Sequence, residues 1–254
     1  PMRFPGTQSA SVAVNMHQRV SLALLLLAVP HTASLATPVL ETVALRGAAS
    51  SSLRVMEGQA DTIDSGARIW DSGREMAALL QQQGESLRGK RVLELGAGTG
   101  IGGLSAAACG ADVLLSDQAH MLPLLNENII ANGLQRRDAD TCVLGEDGAP
   151  PFCGGSAVAT QLLWGDASDL ERVRASGPFD LLVGSDLLYA PHVFPLLLDT
   201  LVALCTPGVT EVLLTYPTRY TEDIFFGDAE EYFDVGYADE VGCNIYSTRM
   251  KRLA

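Results

Sequence analysis

The chain is poor in cysteine and in basic residues, and each shortage excludes a kind of function. Its 254 residues include five cysteines, an odd number, and none of them forms a Cys-x-x-Cys pair. A structural zinc site or a disulfide framework is therefore not expected, and free thiols are favoured, although Cys142 and Cys153 flank a loop and could form a disulfide.

Lys and Arg number 17 against 30 Asp and Glu, a formal net charge of -13. Such a surface repels a phosphate backbone, so nucleic acid is not expected as a partner, whereas a basic protein or peptide is.

Several catalytic motifs are also absent from the sequence. It has no Gly-x-Ser-x-Gly nucleophile elbow, no Gly-Lys-Ser/Thr phosphate loop and no His-Glu-x-x-His zinc motif. His120 and His192 are the only histidines beyond residue 60, and neither stands in a recognisable catalytic pattern. No metal site is therefore expected.

The N-terminal 50 residues differ from the rest of the chain. A basic start at Met16–Arg19, a short apolar run at Leu22–Val29 and small residues at Ala33–Ala36 describe a signal peptide, and they also resemble plastid leaders. The apolar run is too short to span a bilayer, so stable membrane insertion is not expected. The alternative is an N-terminal helix that packs on the domain. We expect residues 1–50 to be a leader outside the fold and residues 53–254 to form the domain.

Helical and strand-like patterns alternate after residue 60. Helices are predicted over 67–80, 101–109, 119–131, 192–205 and 221–231, and strands over 91–95, 112–117, 158–164, 179–186, 211–216, 232–238 and 242–248. Residues 135–156 are polar and contain Pro150-Pro151, which indicates a loop insertion. This order predicts an α/β fold with a doubly wound, mostly parallel seven-strand sheet, and the last two strands predict an antiparallel C-terminal hairpin.

A glycine-rich run, Arg91–Gly103, follows the first of these strands. Gly96, Gly98 and Gly100 let the chain turn tightly and let its backbone approach a nucleotide-like ligand. Ile101 stands where the dinucleotide fingerprint needs its third glycine, which disfavours a nicotinamide cofactor. Glu94, beside the loop, suits a cationic ligand better than a pyrophosphate. The run therefore predicts a site for a cationic, nucleotide-like ligand.

The predicted strand ends bring further polar and aromatic residues towards this loop. Asp117 ends the second strand, where a carboxylate accepts hydrogen bonds from ribose hydroxyls, or caps the helix that follows. Trp164 and Asp186 end two later strands. Because ligands of doubly wound folds bind at the carboxyl ends of the strands, we expect all of these residues to share one site.

Four sequence features resemble eukaryotic methyltransferase family 16, whose members are mostly protein-lysine methyltransferases. They are Ile69-Trp70, Glu94–Gly103, Leu163-Trp164-Gly165 and Asp186-Leu-Leu-Tyr189, and the resemblance covers about residues 66–249. Amide and adenine methyltransferases usually carry Asp/Asn-Pro-Pro-Tyr/Phe where this chain has Asp-Leu-Leu-Tyr, which disfavours their chemistry.

The resemblance implies a Rossmann-like class I fold and S-adenosylmethionine as the methyl donor. It implies that a lysine side chain of a protein is the acceptor, with Asp186 binding the incoming ammonium and Tyr189 lining its channel. The residues that it implies for the cofactor are Trp70, Glu94, Gly96, Ala97, Gly98, Gly100, Asp117, Trp164 and Ser185. Each aromatic or acidic residue has a structural alternative: Trp70, Trp164 and Tyr189 as packing residues, and Asp186 as a helix cap.

The acceptor and the compartment stay open at this stage. The alternatives to a protein lysine are a small molecule, an arginine or histidine of a protein, or a catalytically silent module that binds the cofactor. The chain is expected to act as a monomer. Family members act mostly in the cytosol or nucleus, whereas the leader-like segment indicates export or plastid entry.

Overall fold

The computed structural model describes residues 39–44, 52–58, 65–135 and 155–254. The predicted leader at Met16–Ala36 and most of the predicted loop insertion, including Cys142 and Cys153, lie outside the described residues. In the described part, the remaining cysteines, Cys109, Cys205 and Cys243, are not in disulfides.

The described chain alternates strands and helices as the sequence predicts. The strands are β1 (Val39–Ala44), β2 (Ser52–Glu57), β3 (Arg91–Leu95), β4 (Asp112–Asp117), β5 (Ser156–Gln161), β6 (Leu181–Ser185), β7 (Glu211–Pro217), β8 (Phe233–Val235), β9 (Asp239–Gly242) and β10 (Ile245–Arg252). The helices are α1 (Asp71–Gln83), α2 (Ile101–Ala108), α3 (Leu122–Ala131), α4 (Ala167–Ala175), α5 (Phe194–Leu204) and α6 (Glu222–Ala229). Within these residues, no helix combines the length and apolar character needed to cross a membrane.

The main sheet has the strand order β5-β4-β3-β6-β7-β10-β8, and β9 also pairs with β10. Strands β3 to β7 are parallel to their neighbours, whereas β10 is antiparallel to β7. β8 and β9 pair with opposite ends of β10. The predicted α/β fold is therefore confirmed, and its C-terminal part contains one short strand more than the predicted hairpin.

The two faces of the sheet carry separate layers of the core. Alternation along β3 sends Val92 into one cluster, with α1 and α2, and Leu93 and Leu95 into the other, with α5 and α6. Glu94 lies on the same face as Val92, where α2 covers it. Helix α2 is buried along its whole length, because its glycines, alanines and serine allow close packing on the sheet.

Strand β1 lies within the first 50 residues, which the sequence analysis placed outside the domain. It pairs along its whole length with β2, and β2 in turn is held by α3. The Asn128 side chain accepts a hydrogen bond from the Met56 amide at 2.7 Å and donates one to the Met56 carbonyl at 3.1 Å. The Asn132 side chain likewise accepts a hydrogen bond from the Arg54 amide and donates one to the Arg54 carbonyl, at 2.8 Å each. These two asparagines therefore provide hydrogen-bond partners for backbone groups on the edge of β2 that faces α3.

Two element boundaries differ from the prediction in ways that bear on the site. Helix α1 begins at Asp71 rather than near residue 67, because Trp70 is extended, with φ -87° and ψ 157°. Strand β5 ends at Gln161, so Trp164 lies in the turn beyond it rather than in the strand. Both tryptophans therefore stand in connecting segments at the carboxyl edge of the sheet.

Candidate active site

A cavity of about 450 Å³ opens at the carboxyl ends of the parallel strands. The predicted site residues that line it are Trp70, Gly96, Ala97, Gly98, Asp117, Trp164, Ser185, Asp186 and Tyr189. The structure thus brings these residues together as the strand-end rule predicts. Two predicted residues, Glu94 and Gly100, do not line it.

The loop between β3 and α2 takes its shape with three glycines of positive φ, and two of them line the cavity. Gly96 and Gly98 have φ of +54° and +55°, and a Cβ on Gly98 would stand 2.5 Å from the carbonyl oxygen of Gly66. Asp117, at the end of β4, accepts a hydrogen bond from the Gly98 amide at 2.7 Å. The loop is therefore fixed from two sides, with bare backbone facing the cavity. The proposed contact of Asp117 with ribose stays a prediction.

Replacing Gly98 by Ala is expected to lower the affinity for the ligand that the sequence resemblance predicts, S-adenosylmethionine, at least about tenfold. An alanine at this φ costs about 1–2 kcal/mol, and relief of the contact with Gly66 requires the loop to move. Isothermal titration calorimetry measures the loss. Gly227→Ala in α6 is the matched control, because a Cβ there meets no atom within 4 Å. Equal affinities of the two variants would contradict the role of the loop.

Glu94 has a different environment from the one that the sequence predicts. It is buried beneath the first turn of α2, where its carboxyl group accepts a hydrogen bond from the Gly103 amide at 2.9 Å. Burial raises its pKa to about 8, although the hydrogen bonds from the amides of Gly103 and Gly102 act in the opposite direction. It is therefore largely uncharged at neutral pH and does not present a negative charge to a ligand in the cavity.

Gly100 is also separated from the cavity. It precedes α2, and a Cβ there would face Leu125 and Leu115 in the core, at 3.0 Å and 3.1 Å. Its place in the glycine pattern is thus explained by its φ of +80° and by close packing against the core rather than by contact with a ligand.

Two tryptophans supply flat apolar surface to the cavity. Trp70 is 43% exposed, and the guanidinium carbon of Arg68 lies 5.7 Å from the centroid of its ring system. Trp164 is partly buried against the core cluster beneath α5. Together with the bare loop backbone, such surfaces fit an adenine ring and the chain attached to it.

The other side of the cavity is built around Asp186, which follows β6. Its amide donates to the Thr215 carbonyl of β7 at 2.8 Å, and its φ is +58°. Its carboxylate oxygen Oδ1 lies 2.7 Å from Nη2 of Arg219. Tyr189, which is 58% exposed, lines the cavity nearby. This side therefore combines a carboxylate, a guanidinium and a phenol.

Arg219 is a lining residue that the sequence analysis missed. It follows β7 by two residues, so the strand-end rule that selected Asp117 and Asp186 also applies to it. A single arginine in a loop has no motif around it, and its position beside Asp186 depends on the pairing of β6 with β7.

The two histidines have different positions. His120 lies in the short turn after β4 and lines the cavity, whereas His192 does not line it. Within the described ranges, no group of histidine, cysteine and acidic side chains is arranged to hold a metal ion.

Comparison with known proteins agrees with the geometry. The profile of the family described as lysine methyltransferase matches residues 48–232. EEF1A lysine methyltransferase 3 of Mus musculus is 33% identical over 193 residues, covering 74% of each chain. Protein N-lysine methyltransferase METTL21A of Danio rerio is 36% identical over 157 residues, covering 62% of this chain and 63% of the relative.

A solved structure shows the same fold at low sequence identity. The 16S rRNA N2 G1207 methyltransferase RsmC of T. thermophilus, in complex with AdoMet and guanosine, superposes with a TM-score of 0.56 at 17% identity. The match covers 85% of this chain and 50% of that one. The family match confirms the resemblance drawn from the four sequence features, and the chain belongs to the lysine methyltransferase family.

Proposed function

We propose that the cavity binds S-adenosylmethionine and that the protein transfers the methyl group to the side-chain amine of a lysine in another protein. One observation carries the proposal: the Asp186 carboxylate lies in the same cavity as the bare backbone of Gly96–Gly98. The first can accept a hydrogen bond from an incoming amine, and the second suits a nucleoside. Family membership supports both halves of this assignment.

The residues on the loop side fit the cofactor. Gly96, Ala97 and Gly98 would hold its amino-acid chain against the backbone, and Asp117 would meet the ribose. Trp70 and Trp164 would pack near the adenine. When bound, the sulfonium supplies a methyl group that is already activated, so the protein needs no covalent catalyst.

The residues on the acceptor side hold and orient the amine. A lysine has a reference pKa of about 10.4 and must lose its proton before it can attack. Asp186 would bind the incoming group and direct its lone pair, and Tyr189 would form a wall by contacts of its ring and hydroxyl. The proton leaves through water, and no residue is assigned as a dedicated general base.

A protein acceptor agrees with the surface around the opening. Leu163, Tyr189 and Leu196 line the cavity and are 52%, 58% and 45% exposed. Exposed apolar side chains at the mouth of a site suit contact with a macromolecule. The net charge of -13 favours a basic surface on that partner. The names of the two relatives described above, which specify lysine in proteins and in EEF1A, point to the same class of acceptor.

The test is transfer of labelled methyl groups. The purified chain is incubated with fractionated lysate and methyl-labelled S-adenosylmethionine, and the labelled residue is identified by mass spectrometry. We expect label on a lysine Nζ, and none with the matched variant Asp186→Asn. Label on an arginine, a histidine or a small molecule would replace the proposed acceptor. Cofactor binding without any transfer would show a silent module.

A further inference from the structure

The ion pair between Asp186 and Arg219 changes the electrostatics of the acceptor side. Asp186 Oδ1 and Arg219 Nη2 are 2.7 Å apart, and the side chains are 12% and 33% exposed. The contact is ionic rather than an aligned hydrogen bond, because Asp186 Oδ1 has no hydrogen-bond partner among the described residues. The other terminal nitrogen of the guanidinium, Arg219 Nη1, also has no partner there. Buried polar atoms normally have such partners. The pair therefore retains hydrogen-bonding capacity beside the cavity.

The segment that carries Arg219 is held in place by α6. The Glu222 carboxylate accepts hydrogen bonds from the amides of Arg219 and Thr221, at 3.0 Å and 2.9 Å, and from the Thr218 hydroxyl at 2.5 Å. Tyr220, which is 90% exposed, has a φ of +61°, a strained value for an aromatic residue. Strain of this kind persists where the surroundings fix the backbone, so Arg219 is presented to Asp186 by a constrained loop.

We propose that Arg219 is a positioning residue that neutralises Asp186, so that the acceptor side favours an uncharged amine over an ammonium. The inference rests on the proposed function. An isolated carboxylate would attract the ammonium form, which has no lone pair with which to attack the methyl group. With Arg219 beside it, the carboxylate still accepts a hydrogen bond from the amine. The guanidinium at the same time repels a second positive charge.

Arg219 is the cation in ion-pair contact with Asp186, and the other charged groups around the cavity are the same in every variant of Arg219. The charged or titratable side chains that line it are Arg68, Asp117, His120, Asp186, Tyr189 and Arg219. Burial acts to raise the pKa of Glu222, behind Arg219, but its hydrogen bonds from Thr218, Arg219 and Thr221 outweigh burial and hold the pKa below its usual value. Glu222 thus stays ionised near neutral pH.

The first test needs no acceptor protein. Sinefungin, a cofactor analogue, carries a primary amine at the position of the transferable methyl group. S-adenosylhomocysteine carries neither an amine nor a methyl group at that position. Both affinities are measured by calorimetry for the wild type, Arg219→Gln and Arg219→Lys at pH 7. We expect the preference for sinefungin to rise about tenfold in Arg219→Gln, because an unpaired carboxylate attracts the ammonium, and to stay within about twofold in Arg219→Lys. An unchanged or lower preference in Arg219→Gln would overturn the proposal.

The second test uses the pH dependence of methyl transfer. In Arg219→Gln the rise of kcat with pH should move upward by about one pH unit, with the high-pH plateau retained, since the bound amine loses its proton less readily. A merely structural role would lower kcat equally at every pH, which would contradict the inference. If Arg219→Gln fails to bind S-adenosylhomocysteine, Arg219→Met replaces it. If the wild type itself binds neither ligand or labels no lysine, the proposed function fails, whatever Arg219 does.

Discussion

Replacing Asp186 by Asn is expected to lower kcat/KM for methyl transfer by at least about 100-fold, because the acceptor amine is then misplaced relative to the methyl group. The affinity for S-adenosylmethionine should stay within about threefold of the wild-type value, since a misplaced acceptor does not alter cofactor binding. Asp186 follows β6 and Asp117 ends β4, with β3 between them in the sheet, so the contact of Asp117 with Gly98 does not involve the Asp186 carboxylate. Asn keeps the shape and tolerates the φ of +58°. Arg219 is one-third exposed, so water can solvate it when the carboxylate is lost.

The measurements are labelled methyl transfer and calorimetric binding of the cofactor. Asp186→Ala should lose activity as well. Its unfolding free energy should be about 1–2 kcal/mol lower than that of Asp186→Asn, because alanine is strained at this φ. Comparing the two variants separates loss of the carboxylate from strain. Equal losses of activity and cofactor affinity in Asp186→Asn would show that the residue is structural or faces the cofactor.

The sequence predicted the fold well where apolar runs end at glycines or acids. Strands β3 and β4 have the predicted bounds, because Arg91–Leu95 runs into the glycine loop and Asp112–Asp117 ends in a carboxylate. Helix α1 ends at Gln83, three residues beyond the predicted bound, and Gly84 is its C-cap. Its start was predicted four residues early, because the helical spacing of apolar residues continues through Ile69 and Trp70, whereas the backbone of Trp70 is extended.

The β1–β2 pair and Arg219 could not be predicted by the same reasoning. Neither strand carries a sequence signal that identifies its partner, and the attachment of β2 depends on Asn128 and Asn132, more than about 70 residues away in the chain. An asparagine in a helix or at its end does not reveal from the sequence that it will pair with a strand edge. Arg219 contacts Asp186 only because β6 and β7 are neighbours in the sheet.

Glu94 shows how burial can invert an interpretation based on residue type. An acid beside a glycine loop suggests a negative charge, and in the sequence nothing indicates otherwise. In the structure the first turn of α2 covers it so closely that a Cβ on Gly102 would stand 2.5 Å from its Oε1. The free-energy cost of burying an ionised carboxylate keeps the Glu94 side chain protonated. That cost depends on how the surrounding residues pack rather than on the local sequence.

The buried Glu94 is expected to make the stability of the protein fall as pH rises from about 5 to about 8. Its pKa is about 8 in the folded state, against 4.5 for an unperturbed glutamate. Below pH 4.5 both states hold the proton and there is no penalty. Between these values the unfolded chain loses the proton while the folded protein keeps it, so unfolding becomes easier by up to about 1.4 kcal/mol per pH unit. Above pH 8 the penalty is constant.

The pH dependence of urea unfolding for Glu94→Gln tests this expectation. Gln still accepts the hydrogen bond from the Gly103 amide but does not titrate, so the difference in unfolding free energy between variant and wild type should grow by about 3–4 kcal/mol from pH 5 to pH 8. Glu171→Gln, at an exposed position of α4, is the matched control and should keep the wild-type slope. Parallel curves for Glu94→Gln and the wild type would show that Glu94 is ionised in the folded protein, and its negative charge would then again be available to a cationic ligand.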